Sequence, residues 1–118
     1  MTEPCDLPAV EARRLIGVKR LAPSELLESC IARIEAVDHA VNAMPARDFT
    51  RARATARRAD DAVARGDALP PLHGLPIGIK DLEETAGLVT THRSVIFRDH
   101  VPAEDERIVA DARAAGRS

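Results

Sequence analysis

The chain has 118 residues, with 17 basic against 19 acidic side chains and a net charge of −2. That length fits one small domain at roughly 100–200 residues per domain. Leu, Ile, Val and Phe total 28, or 24% of the chain, and 21 alanines supply most of the remaining apolar content, so any core is thin and aliphatic.

These numbers exclude whole classes. No apolar run nears the roughly 18 residues of a membrane span. The balanced charge and near-absence of aromatic rings leave neither an electrostatic footprint nor a stacking surface for nucleic acid. The N-terminus, Met1 to Asp6, is acidic and has no basic region followed by an apolar one. No secretory signal is expected, and the expected address is the cytoplasm, where Cys5 and Cys30 stay reduced. Their spacing fits no metal site; Cys30 reads as a small core residue and Cys5 as a tail thiol. Fifteen of the basic residues are Arg, and only Lys19 and Lys80 are Lys. Arg keeps its proton whereas a buried Lys can lose one, so a Lys here is present either by chance or for its titratable amine.

Residues 7–20 predict a first helix, with Leu7, Val10, Leu15 and Val18 along one stripe. Residues 23–40 predict the clearest one. Leu27, Cys30, Ile31, Ile34, Val37 and Val41 follow the i, i+3, i+4, i+7 pattern, Pro23 suits the first helical position and Glu25 the third. Ala22 then falls at the N-cap, where a hydroxyl would complete a capping box. Residues 47–65 predict a third helix with a narrow stripe of Phe49, Ala52, Ala56, Ala59 and Val63, ended by Gly66. Its arginines Arg51, Arg53, Arg57 and Arg58 are interleaved with Asp48, Asp60, Asp61 and Asp67, so they read as a solvated face and not as a nucleic-acid patch.

At residue 69 the helical period stops. Leu75, Ile77 and Ile79 alternate with Gly74, Pro76, Gly78 and Lys80, which predicts a short strand with Pro76 at its start or on an edge. Residues 85–100 read as turn and loop with an extended piece at Leu88–Thr91. A last helix is expected from Asp105, its cap, to Ala115, with Ile108, Val109 and Ala112 inward and Gly116 as its stop. The division expected is therefore a helical region at 1–68 and the start of an α/β core at 69–118.

Gly74-Leu75-Pro76-Ile77-Gly78-Ile79-Lys80-Asp81 is the segment that carries chemistry. It is not a phosphate loop, because three residues instead of four separate the glycines, Ile79 precedes the Lys and Asp81 follows it. Parity places Lys80 opposite Ile77 and Ile79, beside the small Gly78. A partly desolvated Lys loses its proton more readily and can act as a general base; an exposed strand-end Lys is the other reading of the same spacing.

This segment, with Pro71-Leu72-His73 before it and Thr85-Ala86-Gly87-Leu88, Thr90-Thr91 and Ile96 to Asp105 after it, resembles the amidase signature family. Residues 21–42 resemble that family's N-terminal helical region. The resemblance implies an amide-hydrolysing α/β enzyme: N-terminal helices followed by the first strands and helix of a mixed sheet, incomplete in this chain. It also implies a Ser–cis-Ser–Lys triad with Lys80 as its catalytic Lys. The Lys takes a proton from the bridging Ser, which activates the nucleophilic Ser to attack the amide carbonyl. Ser24, Ser29, Ser94 and Ser118 match neither triad serine, so the chain reads as a truncated N-terminal piece, inactive alone.

The partners implied are a small-molecule amide for the complete enzyme, and either a second copy or the missing C-terminal portion; no cofactor and no metal are implied. A fragment of a glutamyl-tRNA amidotransferase A-type subunit is the alternative within the family. A small helical interaction module is the alternative outside it. His39, His73, His92 and His100 show no ligand-like spacing; His73 is expected to pack or hydrogen-bond beside the strand, and Asp81 to orient the Lys80 region.

Overall fold

The computed structural model describes residues 2–116. Its regular elements are helices: α1 at Ala9–Gly17, α2 at Pro23–Val41, α3 at Phe49–Arg65 and α4 at Arg107–Gly116, with short 3-10 turns at Pro4–Asp6 and Val95–Phe97.

α2 starts where proline and glutamate place it, with Pro23 as its first residue. Ala22 has no side-chain acceptor, and only half of a capping box forms, with the Ala22 N–H donating to Glu25 Oε1 at 3.4 Å. A different N–H of the first turn is served from a neighbouring helix: the Ser24 N–H donates to Asp60 Oδ1 of α3 at 3.0 Å. At the far end Asn42 takes the left-handed conformation. The buried Asp38 carboxylate there gathers the Ala43 and Met44 N–H groups at 2.7 and 3.2 Å and the Arg47 guanidinium at 2.6 Å. Burial pushes this carboxyl up, but the Ala43 N–H and Arg47 outweigh it and hold the group below its ordinary value.

α3 is capped by Asp48, whose Oδ1 accepts from the Arg51 N–H at 3.0 Å, and ends at left-handed Gly66. It lays its alanine face on α2: Leu27, Ile31 and Ala56 form one buried cluster with Phe49 and Ala52 beside it. Arg53 closes the rim with a two-pronged pair to Glu28 at 2.6 and 3.2 Å. α1 contributes Ala12 and Ile16 to a second cluster with Leu21 and Leu26, against which Cys30, Val63, Leu69 and Leu75 pack.

Three helical stripes differ from expectation. In α2 the last two members, Val37 and Val41, are exposed. Val10 is 83% exposed and Val18 is also exposed, because Ala12 and Ile16, four residues apart, form the buried edge of α1. In α4, Val109 is buried but Ile108 faces out. Asp105 does not serve as the helix cap; its carboxylate accepts instead from the Ala86 N–H and from Arg113.

The expected α/β architecture does not form. Among the described residues there is no strand and no mixed sheet, and residues 75–80 follow an irregular path with Ile77 65% exposed. A strand exists only with a neighbour on its edge. Here Pro76 has no N–H to offer, and isolated bonds replace a ladder: the turn bonds Leu75 N–H to Leu72 O and Glu83 N–H to Lys80 O, at 3.1 and 3.0 Å, and the cross-loop bond Thr90 N–H to His100 O at 2.9 Å. The radius of gyration, 14.9 Å, exceeds the ~13.5 Å of a compact chain of this length.

Candidate functional site

The Lys80 segment is anchored to the helices at one end and to a polar loop at the other. At the helical end Gly74 has φ +78°, and a Cβ there would lie 2.8 Å from Pro23 Cγ and 3.1 Å from Ile16 Cδ1. Only glycine fits this turn. Beside it His73 is fully buried, its Nε2–H donating to the Ala59 carbonyl at 3.0 Å while Nδ1 has no partner. Leu75 then packs on the helical core.

At the polar end Asp81 holds the chain. Its carboxylate accepts from the Thr91 N–H at 2.7 Å and from the Thr91 hydroxyl, and its carbonyl accepts from the His92 N–H at 3.0 Å. Asp81 therefore ties the end of the Lys80 segment to the Thr91–His92 loop. Lys80 itself, between these anchors, is exposed, as in the second of the two readings its spacing left open. An open groove of about 390 Å³ runs beside Asp81, bounded by Pro45, Arg47, Thr91 and Arg98.

The serines lie elsewhere. The Ser94 hydroxyl accepts from the Ile96 N–H at 3.3 Å as a turn residue, and the Ser29 hydroxyl accepts from the Cys5 N–H at 3.0 Å. Ser24 is engaged with Asp60 through its backbone. Ser118 lies outside the described residues.

The Amidase family profile matches residues 25–117, which include Lys80. The chain belongs to the amidase family. It is 40% identical over 97% of its length to the A-type subunit of a glutamyl-tRNA(Gln) amidotransferase from Anaeromyxobacter sp. (strain K). It is 41% identical over 93% of its length to a protein of Mycobacterium tuberculosis (strain ATCC 25618 / H37Rv) bearing the name amidase AmiD. It covers 23% of each of these relatives. A solved chain, described with an unexpected vestigial protein complex that reveals the evolutionary origins of an s-triazine catabolic enzyme, superposes with a TM-score of 0.88 at 36% identity. That alignment covers 93% of this chain and 24% of the solved one. The amidase chain thus spans about a quarter of the length of the relatives it matches, and the two classes of relative match it equally well.

Sequence reading missed one cluster within the family-matched region. Glu84, His92 and His100 converge, with the two Nε2 atoms 3.2 and 3.1 Å from the same Glu84 Oε1. The His100 and His92 hydrogen bonds hold the Glu84 carboxyl below its ordinary value. The eight-residue steps from 84 to 92 to 100 are visible in the sequence, but they match neither a helical nor a strand period. His39, on α2, and His73 stand apart from this cluster.

Proposed function

We propose that this chain is the N-terminal portion of an amidase-family hydrolase that cleaves a carbon–nitrogen amide bond, with Lys80 as the base of its Ser–cis-Ser–Lys triad. The family match across residues 25–117 carries this reading, since Lys80 lies inside it in the context Gly78-Ile79-Lys80-Asp81. The anchoring of that context supports it. Gly74 and Asp81 fix the backbone on either side of Lys80, so the amine is delivered from a defined position.

Lys80 is open to water, and a lysine works as a base when desolvation favours its neutral form. In this reading further polypeptide covers it and supplies the two serines. The exposed Leu72, Ile77, Leu82, Val95, Ile96 and Phe97 around this segment are apolar surface that such polypeptide would bury. The complete enzyme in this reading is cytoplasmic and acts on a small amide. Among the described residues no helix is long and apolar enough to cross a membrane.

The test is a graft. The purified chain is expected to turn over no amide. Placed in exchange for the corresponding quarter of an active amidase relative, it is expected to restore amide hydrolysis, and Lys80→Ala in that chimera is expected to lower kcat at least ~10³-fold. Retained turnover in the Lys80→Ala chimera, or serine-dependent turnover by the chain alone, would overturn the reading.

A further inference from the structure

We propose that Glu84, His92 and His100 form a binding site for one divalent transition-metal ion, with zinc the best fit. Two imidazoles and one carboxylate are a donor set that suits zinc and its first-row neighbours and disfavours magnesium and calcium, which take oxygen ligands.

The geometry carries the proposal. Zinc lies about 2.0–2.1 Å from nitrogen and carboxylate ligands, so ligand atoms on a tetrahedral edge are ~3.3 Å apart. The two Glu84–histidine separations, 3.2 and 3.1 Å, already have that spacing. All three ligand atoms lie within 4.8 Å of one another. An ion placed among them would be bound by the Nε2 lone pairs, the ring protons passing to Nδ1 through exchange with water, so that two N–H···O contacts give way to three metal bonds and a fourth position stays open.

The ligands are held by their backbones, so the site costs little ordering. The Glu84 carbonyl accepts from the Glu106 N–H at 2.8 Å, the His92 N–H donates to the Asp81 carbonyl at 3.0 Å, and the His100 carbonyl accepts from the Thr90 N–H at 2.9 Å. His92 and Arg93 both take the left-handed conformation, at φ 52° and 58°, which turns the chain sharply at the first histidine. Phe97 lies edge-on to both imidazoles, with ring centroids 5.5 and 5.7 Å away. The three side chains are about one-third exposed, so an ion from solution can reach them.

The experiment is titration of the full chain with zinc near neutral pH, followed by calorimetry, and with cobalt, followed by its visible absorption. One zinc per chain is expected. His92→Ala and His100→Ala are each expected to weaken binding by more than the roughly 10–100-fold that loss of a supporting partner costs. Cys5→Ser/Cys30→Ser is expected to leave binding unchanged, and the cobalt spectrum to lack a thiolate band. Imidazole NMR of the unmodified chain covers the case in which a variant does not fold: zinc is expected to shift His92 and His100 and to leave His39 and His73 in place. No binding, binding that survives His92→Ala, a thiolate spectrum, or shifts at His39 or His73 instead would each overturn the proposal. None of these readouts depends on amide hydrolysis, so the proposal stands or falls apart from the amidase reading.

Discussion

The helices before residue 67 and the segment from 69 onward are held by different forces. Among the described residues, the buried alanines and branched aliphatics lie almost entirely in the first region, at Ala12, Ile16, Leu21, Leu26, Leu27, Ile31, Ala56 and Ala62, with Val109 and Pro102 buried in the second. The second region buries polar groups, His73, Thr85 and Thr90, and is tied by carboxylates at Asp81, Glu84 and Asp105. A thread of bonds joins the two: Arg13 to the Leu69 and Pro70 carbonyls, and Arg51 to the Ala86 carbonyl. Apolar burial is the main driving force of folding, so the first region can specify its own shape. In the second region Leu72, Ile77, Leu82, Val95, Ile96 and Phe97 face out, while Leu69 and Leu75 pack on the first.

The largest expected effect tests that division directly. Ile16→Ala removes a fully buried side chain from the helical cluster, and is expected to cost about 2–5 kcal/mol. Ile96→Ala, at a residue 84% exposed in the second region, is expected to change stability by less than ~0.5 kcal/mol. Denaturant unfolding followed by circular dichroism compares them; equal costs would erase the distinction. Next comes the joint between the regions. Gly74→Ala combines a positive φ with contacts on Pro23 and Ile16 that are too short, and is expected to cost about 1–3 kcal/mol. Gly66→Ala, with a similar φ and open space around it, is expected to cost less in the same assay.

What was legible in the sequence divides along the same line. Pro23, Glu25 and Gly66 mark helix ends by local chemistry, and local chemistry is readable one residue at a time. The Gly74–Asp81 motif identified the family. The strand expected at 75–80 does not form, because alternation states which faces a strand would present, not whether a neighbouring strand is there to pair with it. Val10 and Ile108 were misplaced because a short helix with few apolar residues has more than one candidate stripe. The Glu84–His92–His100 cluster was invisible because it depends on two consecutive non-glycine residues, His92 and Arg93, adopting left-handed backbone, and no side-chain pattern announces that.

Within the second region, pH is expected to separate two adjacent carboxylates of opposite sign. The Ala86 N–H and Arg113 hold Asp105 below its ordinary value. Its contribution is present above the unfolded Asp pKa of about 3.9 and is lost as pH falls through the lower folded value. The neighbouring Glu83 carboxyl, with burial and the like charge of Glu84, raises Glu106. Its contribution is present below the unfolded Glu pKa of about 4.3 and is lost as pH rises through the higher folded value. Glu106→Gln is therefore expected to stabilise the chain at neutral pH and to have no effect in acid. Asp105→Asn is expected to destabilise it at neutral pH and to flatten the acid limb. Thermal melts across pH check both, and matching pH profiles for the two variants would contradict the assignment.

The smallest effect probes how the first region completes itself without help from the second. Ala22 stands where a hydroxyl would normally cap α2, a substitution worth about 0.5–2 kcal/mol in general. One of the two N–H groups that such a cap could serve, that of Ser24, is already taken by Asp60. Ala22→Ser can then engage only the Glu25 N–H, so a gain near the lower limit, ~0.5 kcal/mol, is expected. In an Asp60→Ala background the Ser24 N–H is released, and the same substitution is expected to gain more, ~1 kcal/mol. A double-mutant cycle measures the difference. If the two gains are equal, Asp60 is not acting as the cap of α2, and the contact between α2 and α3 rests on its apolar face and the Arg53–Glu28 pair.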